Sequence, residues 1–254
     1  MNTLLPDTRA LYRFALHEAV SNRTWIVLGL GQPVMWLVLF GPLVRSVTGP
    51  GVSSGNQFML FVPGLLMMVA LFGSTFMGLT LLADLRTGVL ERLAATPVSR
   101  VGLLSGWLLR DVTLLTAQAL LLLAVAMAMG LRAHLGGTAM TLVLVALVGV
   151  LGASTSYGLA LVLRDENTLA STVNILTMPL TLVSGLLLPV TLAPGWLQAM
   201  AKVNPLYYAV EAARSLMAGQ FHDTAIPVGF AVVGGLAVLT VSWAASLFRK
   251  GVVR

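Results

Sequence analysis

The fold class this sequence predicts is an all-α integral membrane protein with six transmembrane helices, and three observations point to it. Hydrophobic residues fill 57% of the 254 positions and charged residues only 9%, against about 25% charged in ordinary soluble domains. Six apolar stretches approach the length, about 20 residues, that a helix needs to cross the hydrocarbon core. The cations sort strongly to one side of those stretches. A pI near 10.5 does not indicate a nucleic-acid partner, because the cations are scattered between apolar runs and form no single basic surface.

Taken in order, residues 8–23 read as an interfacial helix lying along the membrane surface. Tyr12, Ala15, Leu16 and Ala19 fall on one helical stripe, with Arg9, Arg13 and His17 on a neighbouring one. The first 23 residues also carry Asp7, Glu18 and Arg23 and lack the apolar core of a signal peptide, so the first span is expected to be retained. The spans are expected at roughly 24–44, 58–83, 112–131 (an earlier start left open), 138–163, 168–188 and 224–248. Pro33, Pro42 and Pro63 should kink the first two or mark their ends.

An even number of spans puts both termini on one side. Arg9, Arg13, Arg23, Arg86, Arg92, Arg100, Arg110, Arg164, Arg249, Lys250 and Arg254 share that side, and only Arg45, Arg132, Lys202 and Arg214 face the other. By the positive-inside rule the first group is cytoplasmic. The expected location is the plasma membrane.

Between the second and third spans lies a short amphipathic helix at 86–96. Val89, Leu90, Leu93 and Ala94 share a helical face, while Glu91 and Arg92 turn elsewhere. Pro97 disfavours helix at Thr96 and should end it there. Such a helix clipped between two spans is suited to being gripped by a partner; the plainer reading is a solvated loop with one helical turn.

Before the last span, residues 189–219 are expected to form a re-entrant hairpin. Ser184, Gly185 and Pro189 end the fifth span, and Pro194-Gly195-Trp196 opens a short apolar stretch. Asn204-Pro205 then supplies a helix cap and first turn. Leu206, Ala209, Val210, Ala213, Leu216 and Met217 make one apolar stripe, and Gly219 stands as a helix stop. Two helices too apolar for water and too short to span fit a hairpin dipping into the outer leaflet, where protein can bury its backbone. A loop helix lying flat on the outer membrane surface is the alternative.

Enzymatic chemistry finds little footing here. No phosphate loop occurs, and the only lysines are Lys202 and Lys250. His17, His134 and His222 lie far apart and cysteine is absent, so no metal site is expected. Arg110-Asp111 is expected near the cytoplasmic end of the third span, as an interfacial anchor more than a proton relay. As neighbours on a helix, the two should point apart and each require its own partner. Spans one, two, four, five and six have uncharged interiors, which disfavours an ion-coupled carrier.

Two stripes have both a packing and a functional reading. In the fifth span Asn174, Thr177, Thr181 and Ser184 form a polar stripe; in the second, Phe58, Phe61, Leu65, Met68 and Phe72 form a bulky apolar one, with Phe76 close by. Hydroxyls and amides in lipid ordinarily bind helices together. The sharper reading is that Phe61, Leu65, Met68, Phe72, Phe76, Asn174, Thr177, Thr181 and Ser184 line a path for an amphipathic molecule.

Three motifs, in order along nearly the whole chain, carry a family resemblance. They are Asp84-x-x-x-Gly88-x-x-Glu91-Arg92-Leu93-x-x-Thr96-Pro97-Val98-Ser99-Arg100, then Ser184-Gly185 with Pro189, Pro194 and Trp196-Leu197, then Asn204-Pro205-Leu206-x-Tyr208 with Glu211 and Arg214. With these motifs the chain resembles the membrane subunits of ABC-2-type ABC exporters, most closely the daunorubicin/doxorubicin-resistance group of drug-efflux permeases.

The resemblance implies an N-terminal connecting helix, a cytoplasmic coupling helix after the second span and the re-entrant hairpin. Two membrane subunits, identical or homologous, would hold the substrate between them above two separate ATPase subunits. ATP and Mg²⁺ would then belong to those partners and no cofactor to this chain, which is expected not to be catalytic itself. Gly88, Glu91, Arg92, Leu93, Thr96 and Pro97 would couple to the ATPase, with Glu91 and Arg92 making the polar contacts. Pro194, Trp196, Asn204, Pro205, Glu211 and Arg214 would shape the hairpin. The implied function is export of drugs or other amphipathic compounds, with lipid, lipo-oligosaccharide or polysaccharide as the alternative cargo. A membrane scaffold is the reading from another class, since Gly73/Gly78 and Gly149/Gly152 would serve association equally well.

Overall fold

The computed structural model describes residues 12, 31, 33–39, 54–87, 100–186, 190 and 193–251. A helical segment at 33–39 precedes α1 (Ser54–Thr75), α2 (Met77–Arg86), α3 (Arg100–Ala128), α4 (Leu135–Leu163) and α5 (Glu166–Val183). Two short helices, α6 (Gly195–Ala201) and α7 (Pro205–Met217), follow, then α8 (Ala225–Gly251). Among the described residues there is no strand.

Four helical stretches are long and apolar enough to cross a membrane: Phe61–Arg86 through α1 and α2, Gly102–Ala128 in α3, Leu135–Leu163, which is all of α4, and Ala225–Arg249 in α8. They answer to the second, third, fourth and sixth expected spans. The fifth is helical but is not among the four. Its 18 residues include Asn167, Thr168, Ser171, Thr172, Asn174, Thr177 and Thr181, which dilute the apolar run. Most of the first expected span, and of the interfacial helix at 8–23, lies outside the described residues.

The third span begins at Arg100, well before 112. Its 29 residues make a helix roughly 44 Å long at 1.5 Å per residue, longer than the hydrocarbon core of about 30 Å.

Local chemistry sets the helix ends. Gly130 and Gly219 both have positive φ, 107° and 77°, and each closes a helix with paired backbone bonds. After α7, the Gln220 N–H reaches the Ser215 carbonyl at 2.9 Å and the Gly219 N–H reaches Leu216 at 3.0 Å. Asp165 caps α5, accepting from the Thr168 N–H and hydroxyl at 2.7 Å each. The preceding residue, Arg164, turns the chain with φ 53°.

The middle helix of the packing is α4. It has no charged residue along its length and contacts α1, α2, α3, α5, α7 and α8. Around it the apolar side chains divide into two cores. One gathers Phe61, Leu65, Leu122, Leu144 and Val210; the other gathers Met77, Leu81, Leu104, Trp107, Tyr157 and Phe248. Close approach replaces side-chain volume at some contacts: a Cβ on Gly137 would stand 1.7 Å from the Leu216 carbonyl oxygen, so only glycine lets α4 meet α7 there.

Candidate functional site

The hairpin motif is brought together around the end of α5. The last carbonyls of a helix lack intrahelical partners, and here the N-cap of α7 and a residue within α7 reach carbonyls at and just beyond the end of α5. The Asn204 amide donates to the Leu180 carbonyl at 2.7 Å, while its oxygen accepts from the Leu206 N–H at 3.0 Å. Arg214 donates to the Gly185 carbonyl at 2.6 Å and pairs with Glu211 at 2.7 Å. Pro205 occupies the first turn of α7, where its missing N–H costs nothing. All six residues of the expected apolar stripe, Leu206, Ala209, Val210, Ala213, Leu216 and Met217, are buried.

By contrast α6 stands at the surface. Pro194 and Trp196 are exposed, Trp196 to 66%, and the Gln198 side chain holds the turn by donating to the Ala193 carbonyl at 2.9 Å.

The two candidate path stripes are placed differently. Phe61 and Leu65 are buried in the first core, and Met68 is half-buried against it. Phe72 and Phe76 are half-buried. On α5, Asn174 is exposed, Thr177 and Ser184 are buried and Thr181 lies between. The hydroxyls of Thr181 and Ser184 donate to the Thr177 and Thr181 carbonyls at 2.7 and 2.8 Å, so they satisfy their own helix. The coupling residues Gly88, Glu91, Arg92, Leu93, Thr96 and Pro97 lie outside the described residues. On one flank of that segment Arg86 pairs with Glu166 of α5 at 3.0 Å. Tyr12, from the interfacial stretch, reaches the Thr113 hydroxyl of α3 at 3.2 Å.

Arg110 and Asp111 depart from expectation. They sit roughly 15 Å along α3 from its start at Arg100, and they satisfy one another. Both Nε and Nη2 of Arg110 lie 2.9 Å from Asp111 Oδ1. The Arg110 stem is long enough to fold back over the angle that separates neighbours on a helix. Tyr157 of α4 donates its hydroxyl to Asp111 Oδ2 and lies 3.5 Å from Arg110 Nη2. Asp111 is fully buried. Sequence reading missed Tyr157; its signal was the polar run Ser154-Thr155-Ser156-Tyr157 inside an otherwise apolar span.

Outside the spans, two carboxylates are held ionised. The hydroxyl and then the amide of Thr168 keep Asp165 below its usual range. The Ala225 amide and then the Ser215 hydroxyl do the same for Asp223. Among the described residues, no group of three or more His, Asp and Glu gathers closely enough to hold a metal ion.

A bundle of helices, four of them long and apolar enough to cross a membrane, with the buried short helix α7 docked by Asn204 and Arg214 at the end of a more polar helix, defines a polytopic membrane protein. The family model for ABC-2 type transporters matches residues 7–218, and the chain belongs to that family. It is 29% identical over 194 residues to a putative transport permease, ycf38, of Cyanophora paradoxa, covering 75% of this chain and 67% of the relative. It is 25% identical over 222 residues to the daunorubicin resistance ABC transporter permease protein DrrB1 of Streptomyces coeruleorubidus, covering 86% and 77%. A probable doxorubicin resistance permease, DrrC, of Mycobacterium tuberculosis is 28% identical over 219 residues, covering 85% and 77%.

Proposed function

We propose that this chain is the permease subunit of an ATP-driven exporter of drugs or other amphipathic compounds, powered by separate ATPase subunits and paired with a second permease subunit. The observation that carries the reading is the family match across 7–218, together with relatives whose names assign them to drug-resistance transport. With no phosphate loop in this sequence, the energy comes from a partner. That partner engages the segment at 86–96 through Glu91 and Arg92, on the cytoplasmic face of the plasma membrane. The hairpin, fixed to α5 by Asn204 and Arg214, closes the opposite end.

An ion-coupled carrier needs a buried carboxylate able to take up and release its ion. Asp111 has one oxygen held by Arg110 and the other by Tyr157, an arrangement that favours a fixed structural pair.

The test is co-purification followed by transport in vesicles. The wild-type chain should bring down a phosphate-loop ATPase, and export should depend on ATP. Replacing Glu91 and Arg92 together with Ala should abolish export while leaving the protein in the membrane and hydrolysis by the ATPase intact. Export by the isolated chain, or normal export by the double variant, defeats the reading.

A further inference from the structure

The seven-residue helix α6 has two unlike faces. Trp196, Ala199 and Met200, with Val203 one turn past its end, recur at i, i+3, i+4 and i+7 and so share one side. The turn continues that far because the Val203 N–H still bonds the Met200 carbonyl at 3.1 Å. All four residues are exposed, Met200 to 52% and Val203 to 84%. The other side is committed to the protein: Ala201 is fully buried, and the Gln198 amide is spent on the Ala193 carbonyl.

The level of this apolar face follows from the helices before it. Two residues, Arg164 and Asp165, separate the end of α4 from the start of α5. The 29 residues of α4 measure about 44 Å and cross the membrane, whereas the 18 of α5 retrace only about 27 Å. With a hydrocarbon core of about 30 Å, the far end of α5 stands at the membrane boundary or inside it. The end of α6 is tied to that level. Asn204, the residue after Val203, donates to the Leu180 carbonyl, three residues or about 4.5 Å before α5 ends at Val183. From the other side the Tyr208 hydroxyl donates to the Lys202 carbonyl at 2.7 Å. Val203 and Met200 therefore lie beside the last turn of α5, whose own Met178 and Leu182 are exposed, and not raised into water above it.

The residues at the two ends of the face say what covers it. Tryptophan favours the headgroup–acyl boundary, where its ring is in an apolar layer and its N–H in a wet one. Lys202 is exposed and about 100° round the helix from Val203, at the rim of the face, where a long stem can carry its ammonium out to a phosphate. A dry protein contact would have to desolvate that charge; a lipid headgroup pairs with it in reach of water.

We propose that the Trp196, Ala199, Met200 and Val203 face of α6 is bedded in the headgroup–acyl boundary of the leaflet at this end of the bundle, with the Lys202 ammonium on a glycerophospholipid phosphate. Lipid then holds the segment that links α5 to α7, and it does so whatever the chain transports.

Site-directed spin labelling tests this on the full chain in phosphatidylcholine–phosphatidylglycerol vesicles, with no native cysteine to remove. Labels placed singly at Trp196→Cys, Met200→Cys and Val203→Cys should collide with oxygen, which partitions into lipid, several-fold more relative to a water-soluble nickel chelate than a label at exposed His222→Cys. Their depth should fall within about 10 Å below the phosphates, shallower than a label at exposed Leu239→Cys in the middle of α8. Adding Lys202→Glu should move the Met200 label toward water. Nickel collisions as frequent as at His222 overturn the proposal, and so do low collision rates with both reagents, which mean a covering protein surface. An unmoved Met200 label in Lys202→Glu overturns the phosphate contact. Should the labelled variants fail to insert, quenching of native tryptophan fluorescence by lipids brominated near the headgroup decides instead. Wild type should then lose more signal than Trp196→Phe, and equal quenching overturns the proposal.

Discussion

Asn204 offers a quantitative test of how the hairpin is held. Its side chain has two jobs: the oxygen caps α7 through the Leu206 N–H, and the amide satisfies the Leu180 carbonyl near the end of α5. Losing a cap costs about 1 kcal/mol, and leaving a buried carbonyl unsatisfied costs about 1–3 kcal/mol. Asn204→Ala removes both and should destabilise the protein by about 2–4 kcal/mol. Asn204→Ser keeps a good cap but is too short to reach Leu180, so it should lose only the larger part, about 1–3 kcal/mol. Equilibrium unfolding of the purified protein in mixed micelles, followed by circular dichroism, reads both variants against wild type. At 1.4 kcal/mol per factor of ten, Asn204→Ala should shift the folding constant by roughly thirty-fold or more. A serine variant as stable as wild type refutes the Leu180 contact. Alanine and serine variants of equal stability refute the cap.

Other variants probe the packing and the surface carboxylates. Gly137→Ala drives a methyl into the Leu216 carbonyl, which the α7 terminus holds in place, and should cost about 1–3 kcal/mol in the same unfolding assay. Gly234→Ala meets nothing within 4 Å and should be neutral or gain up to about 1 kcal/mol from helix propensity. Asp165 and Asp223 both have folded pKa values below the unfolded ones. Their stabilisation is therefore complete above the ordinary carboxylate value of about 4 and disappears as pH falls through the lower folded values. Thermal midpoints recorded from pH 7 to about pH 3 should fall less steeply in Asp165→Asn with Asp223→Asn than in wild type.

Much of the architecture was legible because its signals are local. Asn204-Pro205 and Gly219 mark the ends of α7, and the i, i+3, i+4 stripe between them is the face that is buried. A stripe can be read in this way because the helix repeat alone fixes which side chains share a face. The same reasoning failed for Arg110 and Asp111, since spacing along one helix says where side chains start and not how far a flexible stem folds back. It placed the third span from about 112 with an earlier start left open, because the polar Arg110-Asp111 pair interrupts the apolar run that marks a span, and the helix in fact starts at Arg100. The Asn174 to Ser184 stripe was visible, but whether each hydroxyl faces a neighbour or bonds its own backbone is a matter of rotamer and burial.

The sequence by itself determined the helical membrane class, the two ends of α7 and the order of the family motifs. All of these follow from composition and short-range periodicity. Tertiary structure alone decided that Asn204 and Arg214 reach back to α5, that Tyr157 and Arg110 share Asp111, and that a hydroxyl of α4 bridges the break in the second span. Apart from that between neighbours Arg110 and Asp111, these contacts join residues from 24 to 81 positions apart. No periodicity connects such residues; only the packing of α4 among its neighbours brings donor to acceptor.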